Sequence, residues 1–198
     1  MLSSFAERIT ERFIQNGVIA SEDREIYQYG FEMGISQIIN IISTVLIGFL
    51  FQMPLESITF LLSFMTLRTY TGGYHSSSHL KCYALSVSVT AILLGLCRLL
   101  IIWEAAYTVS AAVGLIGICL LVCLAPVEDK NKPMDAVEQI VFRGRAMRNL
   151  AIWCIVTVIM VFTPLWRVAL TLCLSLFAMG ITAACGQMKN YALHKRTQ

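Results

Sequence analysis

The stretch RTYTGGYHSSSHLKCY, Arg68 to Tyr83, sets a cysteine seven residues after a histidine, with a glycine pair just ahead of both. Cysteine attacks a carbonyl as the thiolate, so a catalytic cysteine needs a neighbour that lowers its pKa from about 8.5, and histidine is the common one. His75 and Cys82 are the residues that would form this pair. On a continuous helix seven residues make almost two turns, which puts both side chains on one face but about 10 Å apart along the axis. The pair therefore works only if the chain bends. Gly72, Gly73 and the run Ser76 to Ser78 favour a bend, because glycine accepts unusual backbone angles and serine competes for backbone hydrogen bonds.

Other chemistry is open to the same residues. His75, His79 and Cys82 fall at i, i+4 and i+7, a zinc-ligand set on one helical face, although no fourth ligand has obvious spacing. In the plainest reading His75 is a polar residue at a membrane surface and Cys82 a small core residue. Arg68 lies between an apolar segment and the glycine pair. An arginine there is expensive unless it binds a carboxylate, a phosphate or a backbone carbonyl, or snorkels to lipid headgroups.

The surrounding chain fixes the setting. Of 198 residues 57% are hydrophobic and 14% charged, against about 25% charged in a soluble domain, and the mean hydropathy is +0.71. This composition predicts an all-α integral membrane protein forming a single domain over residues 1–198. The net charge of +3 gives no reason to expect a nucleic-acid partner. Of seven cysteines, Cys97, Cys119, Cys123, Cys154 and Cys173 lie inside apolar runs, where cysteine acts as a small hydrophobe rather than a disulfide framework. No removable signal peptide is visible in the charged N-terminal stretch.

Leu2, Phe5, Ile9 and Phe13 recur at helical spacing between charges, which predicts an amphipathic helix lying in the membrane interface within a cytoplasmic region 1–33. Asn16 and Gly17 end it, and Ser21 is the expected cap of a second helix with an acidic first turn. About six hydrophobic segments come after it: 35–51, 55–67, 83–102, 105–125, 150–163 and 168–185. The second is short against the roughly 20 residues a crossing needs, which suggests a tilted or re-entrant element. Residues 126–149 form the main hydrophilic loop. Gly114 to Gly117 could pack a helix pair, so a homodimer is a candidate assembly.

With both termini inside, thirteen of the fifteen basic residues fall on the cytoplasmic side, leaving only Arg98 and Arg167 outside. The chemistry-bearing stretch and the loop 126–149 then face the cytoplasm.

Arg68, Gly72-Gly73, His75 and Cys82 between short hydrophobic segments, followed by APVEDKNKP after a clean span, resemble the accessory gene regulator protein B (AgrB) family over nearly the whole chain. Members of that family are membrane cysteine endopeptidases of Gram-positive bacteria. They remove the C-terminal tail of a small AgrD-like propeptide and help close the remainder into a thiolactone or lactone, a quorum-sensing signal. The resemblance implies that Cys82 is the nucleophile and His75 the general base, with Arg68 and Gly73 in support, in the bacterial cell membrane. No cofactor or metal is implied, and no phosphate-binding glycine loop is present. An orienting group for His75 could come from Glu128, Asp129, Asp135, Glu138, Ser78 or a backbone carbonyl, and Arg143, Arg145 and Arg148 could attract an acidic tail or anionic lipid. Two other function classes fit the residues: a non-enzymatic peptide transporter or export subunit, and a zinc-dependent membrane protease.

Overall fold

A computed structural model of the chain describes residues 2–74, 79–103, 106–128 and 134–195. These fold into seven helices: α1 (Leu2–Gln15), α2 (Arg24–Leu50), α3 (Pro54–Thr71), α4 (His79–Ile101), α5 (Ala106–Leu124), α6 (Ala136–Val161) and α7 (Trp166–His194). Among the described residues, five helical stretches are long and apolar enough to cross a membrane: Ser21–Leu50, Leu80–Ile101, Ala106–Leu124, Ala136–Val161 and Trp166–Ala192. The sixth expected segment is α3. It has 18 residues, or about 27 Å of helix, and is longer than its apolar run because Arg68 to Thr71 continue the same helix. Its hydroxyls do not interrupt it: Thr59, Thr66, Thr69 and Thr71 each donate to the carbonyl four residues back.

α7 is the centre of the bundle. Of its apolar window 61% is buried inside the protein, against 11% for α2 and α6, and it packs on α3, α4, α5 and α6. Two apolar clusters share it. One joins Phe60, Leu94 and Cys97 to Leu170 and Leu174; the other joins Leu67, Leu121 and Leu150 to Leu176 and Met179. The outer helices turn branched apolar residues outward, such as Ile38, Ile42 and Leu46 on α2 and Ile152, Ile155 and Ile159 on α6, as a lipid-facing surface requires.

The α5–α7 contact is the closest. A Cβ added at Gly117 would lie 2.5 Å from the Leu176 carbonyl oxygen and the Phe177 Cα, and one at Gly180 would lie 2.9 Å from the Gly117 carbonyl oxygen. Gly114 meets Cys173 in the same seam. The stripe that suggested a homodimer is therefore covered by the chain's own last helix, and the expectation loses its basis.

Three further local expectations change. The second helix and the first span are one 27-residue helix, α2, because Gly30 and Gly34 introduce no break in it. Ser21 is not a cap: it begins a short 3-10 turn, and neither Ala20 ahead of that turn nor Asp23 ahead of α2 makes a side-chain capping bond. The hydrophilic stretch 126–149 is helical in its second part, since α6 starts at Ala136 under a capping box in which Asp135 accepts from the Glu138 N–H and Glu138 accepts from the Asp135 N–H.

α1 folds back on α2, with Ala6 and Thr10 fully buried, Phe13 against Phe31 at 5.6 Å, and Arg24 paired to Glu7 and Glu11 at 3.3 and 2.5 Å. Phe5 stays mostly exposed, leaving an apolar stripe for the interface.

Candidate active site

Arg68 sits in the last turn of α3, and the backbone beyond that turn is arranged around its guanidinium. α3 ends at Gly72, which has φ +68° and ψ −144°, and Gly73 comes next at φ +128°, a region costly for any residue with a Cβ. Space forbids a side chain too: a Cβ on Gly72 would come 2.1 Å from the Val127 carbonyl oxygen, and one on Gly73 would come 2.4 Å from the Arg68 guanidinium. The two glycines let the backbone turn flat against its neighbours.

Three contacts then fix the turn. Val127 donates its N–H to the Thr71 carbonyl at 2.9 Å, and Tyr74 donates to the Thr182 carbonyl of α7 at 2.9 Å. The Arg68 guanidinium donates to the Tyr74 carbonyl. Of the ligands open to Arg68, then, a backbone carbonyl is one it takes, and that carbonyl immediately precedes His75. The loop rests on α7 at Gly186, where an added Cβ would lie 2.8 Å from the Gly73 carbonyl carbon. Lys189, one turn on, lies 5.3 Å from the Tyr74 ring centre. Thr182 and Gly186 were not singled out in the sequence. The signal was a small residue inside an apolar run, which says that something approaches closely but not what.

Cys82 lies in the first turn of α4, with its side chain exposed. Next to it Tyr83 shares a hydrogen bond with Ser43 of α2 at 2.8 Å, tying the start of α4 to α2. Cys82 and Arg68 line one cavity of about 580 Å³ between α2, α3 and α4, within the range of ligand pockets. Gln37 and Asn40 of α2 and Ser86 of α4 supply polar groups to it, and Phe60, Phe64 and Val89 supply apolar wall.

His75 and Ser76 to Ser78 lie outside the described residues, as does the side chain of His79. The His75–Cys82 pairing and the zinc set His75, His79 and Cys82 therefore rest on the sequence alone. Among the described residues, which do not include that set, no three His, Cys, Asp or Glu side chains group as a metal would need.

The loop carboxylates have other work. Asp135 and Glu138 cap α6, and the Glu128 side chain accepts from Gln139 while its carbonyl accepts from Asn190 at 2.7 Å. Asp129 lies outside the described residues. Arg143 donates to the carbonyls of Ala125 and Val122 at 3.0 and 3.2 Å, closing the end of α5, so it is engaged within the protein.

The family model described as AgrB, accessory gene regulator B, matches residues 6–185. The chain belongs to this family. It is similar to an AgrB-like protein of Clostridium perfringens strain SM101, with 29% identity over 143 residues covering 70% of this chain and 67% of the relative. A second AgrB-like protein, from Clostridium perfringens strain 13, is 25% identical over 193 residues, covering 93% and 90%. No solved structure matches. Membership of the AgrB family supports a role in the agr quorum-sensing system and implies a peptide substrate of the AgrD kind. With its run of apolar helices it makes the chain a multi-pass membrane protein.

Proposed function

We propose that this AgrB family member is a cysteine endopeptidase that cuts the C-terminal tail from an AgrD-type propeptide and promotes ring closure of what remains. The observation that carries the reading is the shared cavity: Cys82 opens into the same space as Arg68, whose guanidinium holds the carbonyl preceding His75. An exposed thiol beside a cavity of peptide-accepting size is what a nucleophile needs. A buried structural cysteine such as Cys97 has neither.

In this mechanism His75 takes the Cys82 proton, and the thiolate attacks the carbonyl carbon at the cleavage site. The first-turn amides of α4 have no partner within the helix, so they are the natural donors to the oxyanion. The C–N bond then breaks, the departing amine receives the proton from His75, and a thioester to Cys82 holds the remaining peptide. An internal thiol or hydroxyl of that peptide attacks the thioester, closes the ring and returns the Cys82 thiol. Apolar walls that limit water favour ring closure over hydrolysis. Arg68 and Gly73 act one step back: Gly73 makes room for the guanidinium, and Arg68 holds the Tyr74 carbonyl, next in sequence to His75.

The excess of basic residues on one side supports placing both termini and Cys82 in the cytoplasm. The test is reconstitution in liposomes with a panel of AgrD-type propeptides, followed by intact-mass spectrometry. A peptide adduct on Cys82 that hydroxylamine removes and His75→Ala prevents is the expected result. Cleavage without an adduct that a chelator abolishes would point instead to zinc chemistry, and transport of peptide without cleavage to an export subunit.

A further inference from the structure

The cavity has a polar wall that the proposed chemistry does not use. Gln37 and Asn40 lie three residues apart on α2 and both line the space into which Cys82 opens. Among the described residues neither amide has a hydrogen-bond partner within the protein. Asn40 is half-buried and Gln37 exposed, and both line the cavity, where their amides are open to a ligand.

The chemistry of the wall selects its ligand. A carboxamide offers N–H donors and a carbonyl acceptor together, the complement of a peptide unit. An acyl chain would use neither. A phosphate would call for a cation; Arg68, the cation among the described lining residues, already donates to the Tyr74 carbonyl, and α2 carries no Lys or Arg after Arg24. The three-residue step along the helix is about 4.5 Å, between one and two residues of an extended strand at about 3.3 Å each, so two amides can serve one stretch of main chain. The bond between Ser43 and Tyr83 sits one turn beyond Asn40 and one residue beyond Cys82, which holds the wall in register with the thiol.

We propose that Gln37 and Asn40 are positioning residues that hydrogen-bond the main chain of the propeptide in extended form, laying it across Cys82. This rests on the peptidase reading for its substrate, but binding can be measured apart from cleavage. The experiment uses the full chain carrying Cys82→Ala in nanodiscs and a panel of fluorescein-labelled AgrD-type propeptides. Asn40→Leu and Gln37→Leu are each expected to weaken Kd by roughly five- to tenfold, the value of one good hydrogen bond, with unfolding temperature and elution volume unchanged.

A second measurement does not depend on those variants folding. Peptides with one backbone amide replaced by an ester are scanned against the protein with Gln37 and Asn40 intact. One or two adjacent positions should lose about fivefold, and those positions should show no further loss in the leucine variants. Unchanged affinity in both variants, ester losses that multiply with the variants at every position, or no binding by any propeptide would overturn the proposal. If the variants bind weakly as expected while protein with Cys82 intact forms no adduct, the peptidase reading fails and the peptide-binding wall stands.

Discussion

Two regions of the bundle handle polar and small residues in opposite ways. Along the α5–α7 seam, Gly114, Gly117 and Gly180 bring two helices to backbone contact. Between α2, α3 and α4 the helices stand apart around about 580 Å³, and the groups facing that space include a thiol and two carboxamides. The seam gains dispersion and leaves nothing to react. The cavity gives up that packing and keeps groups that can bind. α7 joins the two: Gly180 and Gly186, six residues apart, face different sides of it, one against α5 and the other under the Gly73–Tyr74 backbone. The close-packed seam therefore fixes the helix on which the Gly73–Tyr74 backbone rests. Changes in the cavity should cost activity and spare stability, and changes in the seam should do the reverse.

The largest effect should come from the cavity. Cys82→Ala should lower propeptide processing by roughly a thousandfold or more, while the unfolding temperature in detergent stays within error, because the side chain is exposed. A fall in stability comparable to that of a core mutant would erase the contrast between the two regions. In the seam, Gly117→Val would drive a branched side chain into backbone atoms of Leu176 and Phe177 that cannot move aside. A loss of about 3 kcal/mol is expected, measured by steric trapping in bicelles, with processing per folded molecule unchanged.

Gly186 probes the boundary between the two, because it lies on the scaffold helix but touches the loop. Gly186→Ala would place a Cβ 2.9 Å from the Tyr74 nitrogen, displacing the bond from that nitrogen to the Thr182 carbonyl and the carbonyl that Arg68 holds. Stability should fall by only about 1 kcal/mol, while kcat drops roughly ten- to a hundredfold through misplacement of the loop and KM changes little. An equal effect on kcat and on stability would put Gly186 with the seam instead.

Legibility in the sequence divides along the same line. The helices were legible because apolar runs of bilayer length have few other uses, and α1 was legible because its stripe repeats at helical spacing. Arg68, Gly73 and Cys82 stood out as polar or glycine residues in an apolar chain, and Arg68 and Cys82 do line one cavity. The partners of small residues were not legible. Gly114 and Gly117 announce close approach but not to which helix, and the homodimer expectation lost its footing there. Gly186 and Thr182 lie more than a hundred residues from the loop they support, and no local pattern links them. The Asp135–Glu138 capping box was legible in principle, but the charges of residues 126–149 read as solvated loop.

The smallest expected effect tests whether the seam helix needs polar links at all. Ser63 of α3 and Ser175 of α7 share a hydrogen bond at 2.7 Å in the buried interior. In water such a pair is worth about 1 kcal/mol, but inside a membrane each hydroxyl can turn back to its own helix, and measured interhelical bonds average about 0.6 kcal/mol. Ser63 already donates to the Phe60 carbonyl at 3.0 Å, so that alternative is in place. Ser63→Ala, Ser175→Ala and the double variant should therefore give a coupling energy of about 0.6 kcal/mol by steric trapping, with processing unaffected. A coupling above about 2 kcal/mol would mean that α3 is held to α7 by this bond rather than by the apolar contacts of Phe60 and Leu67. The position of Arg68 would then depend on a polar link, and the division between a packed scaffold and a polar cavity would have to be redrawn through α3.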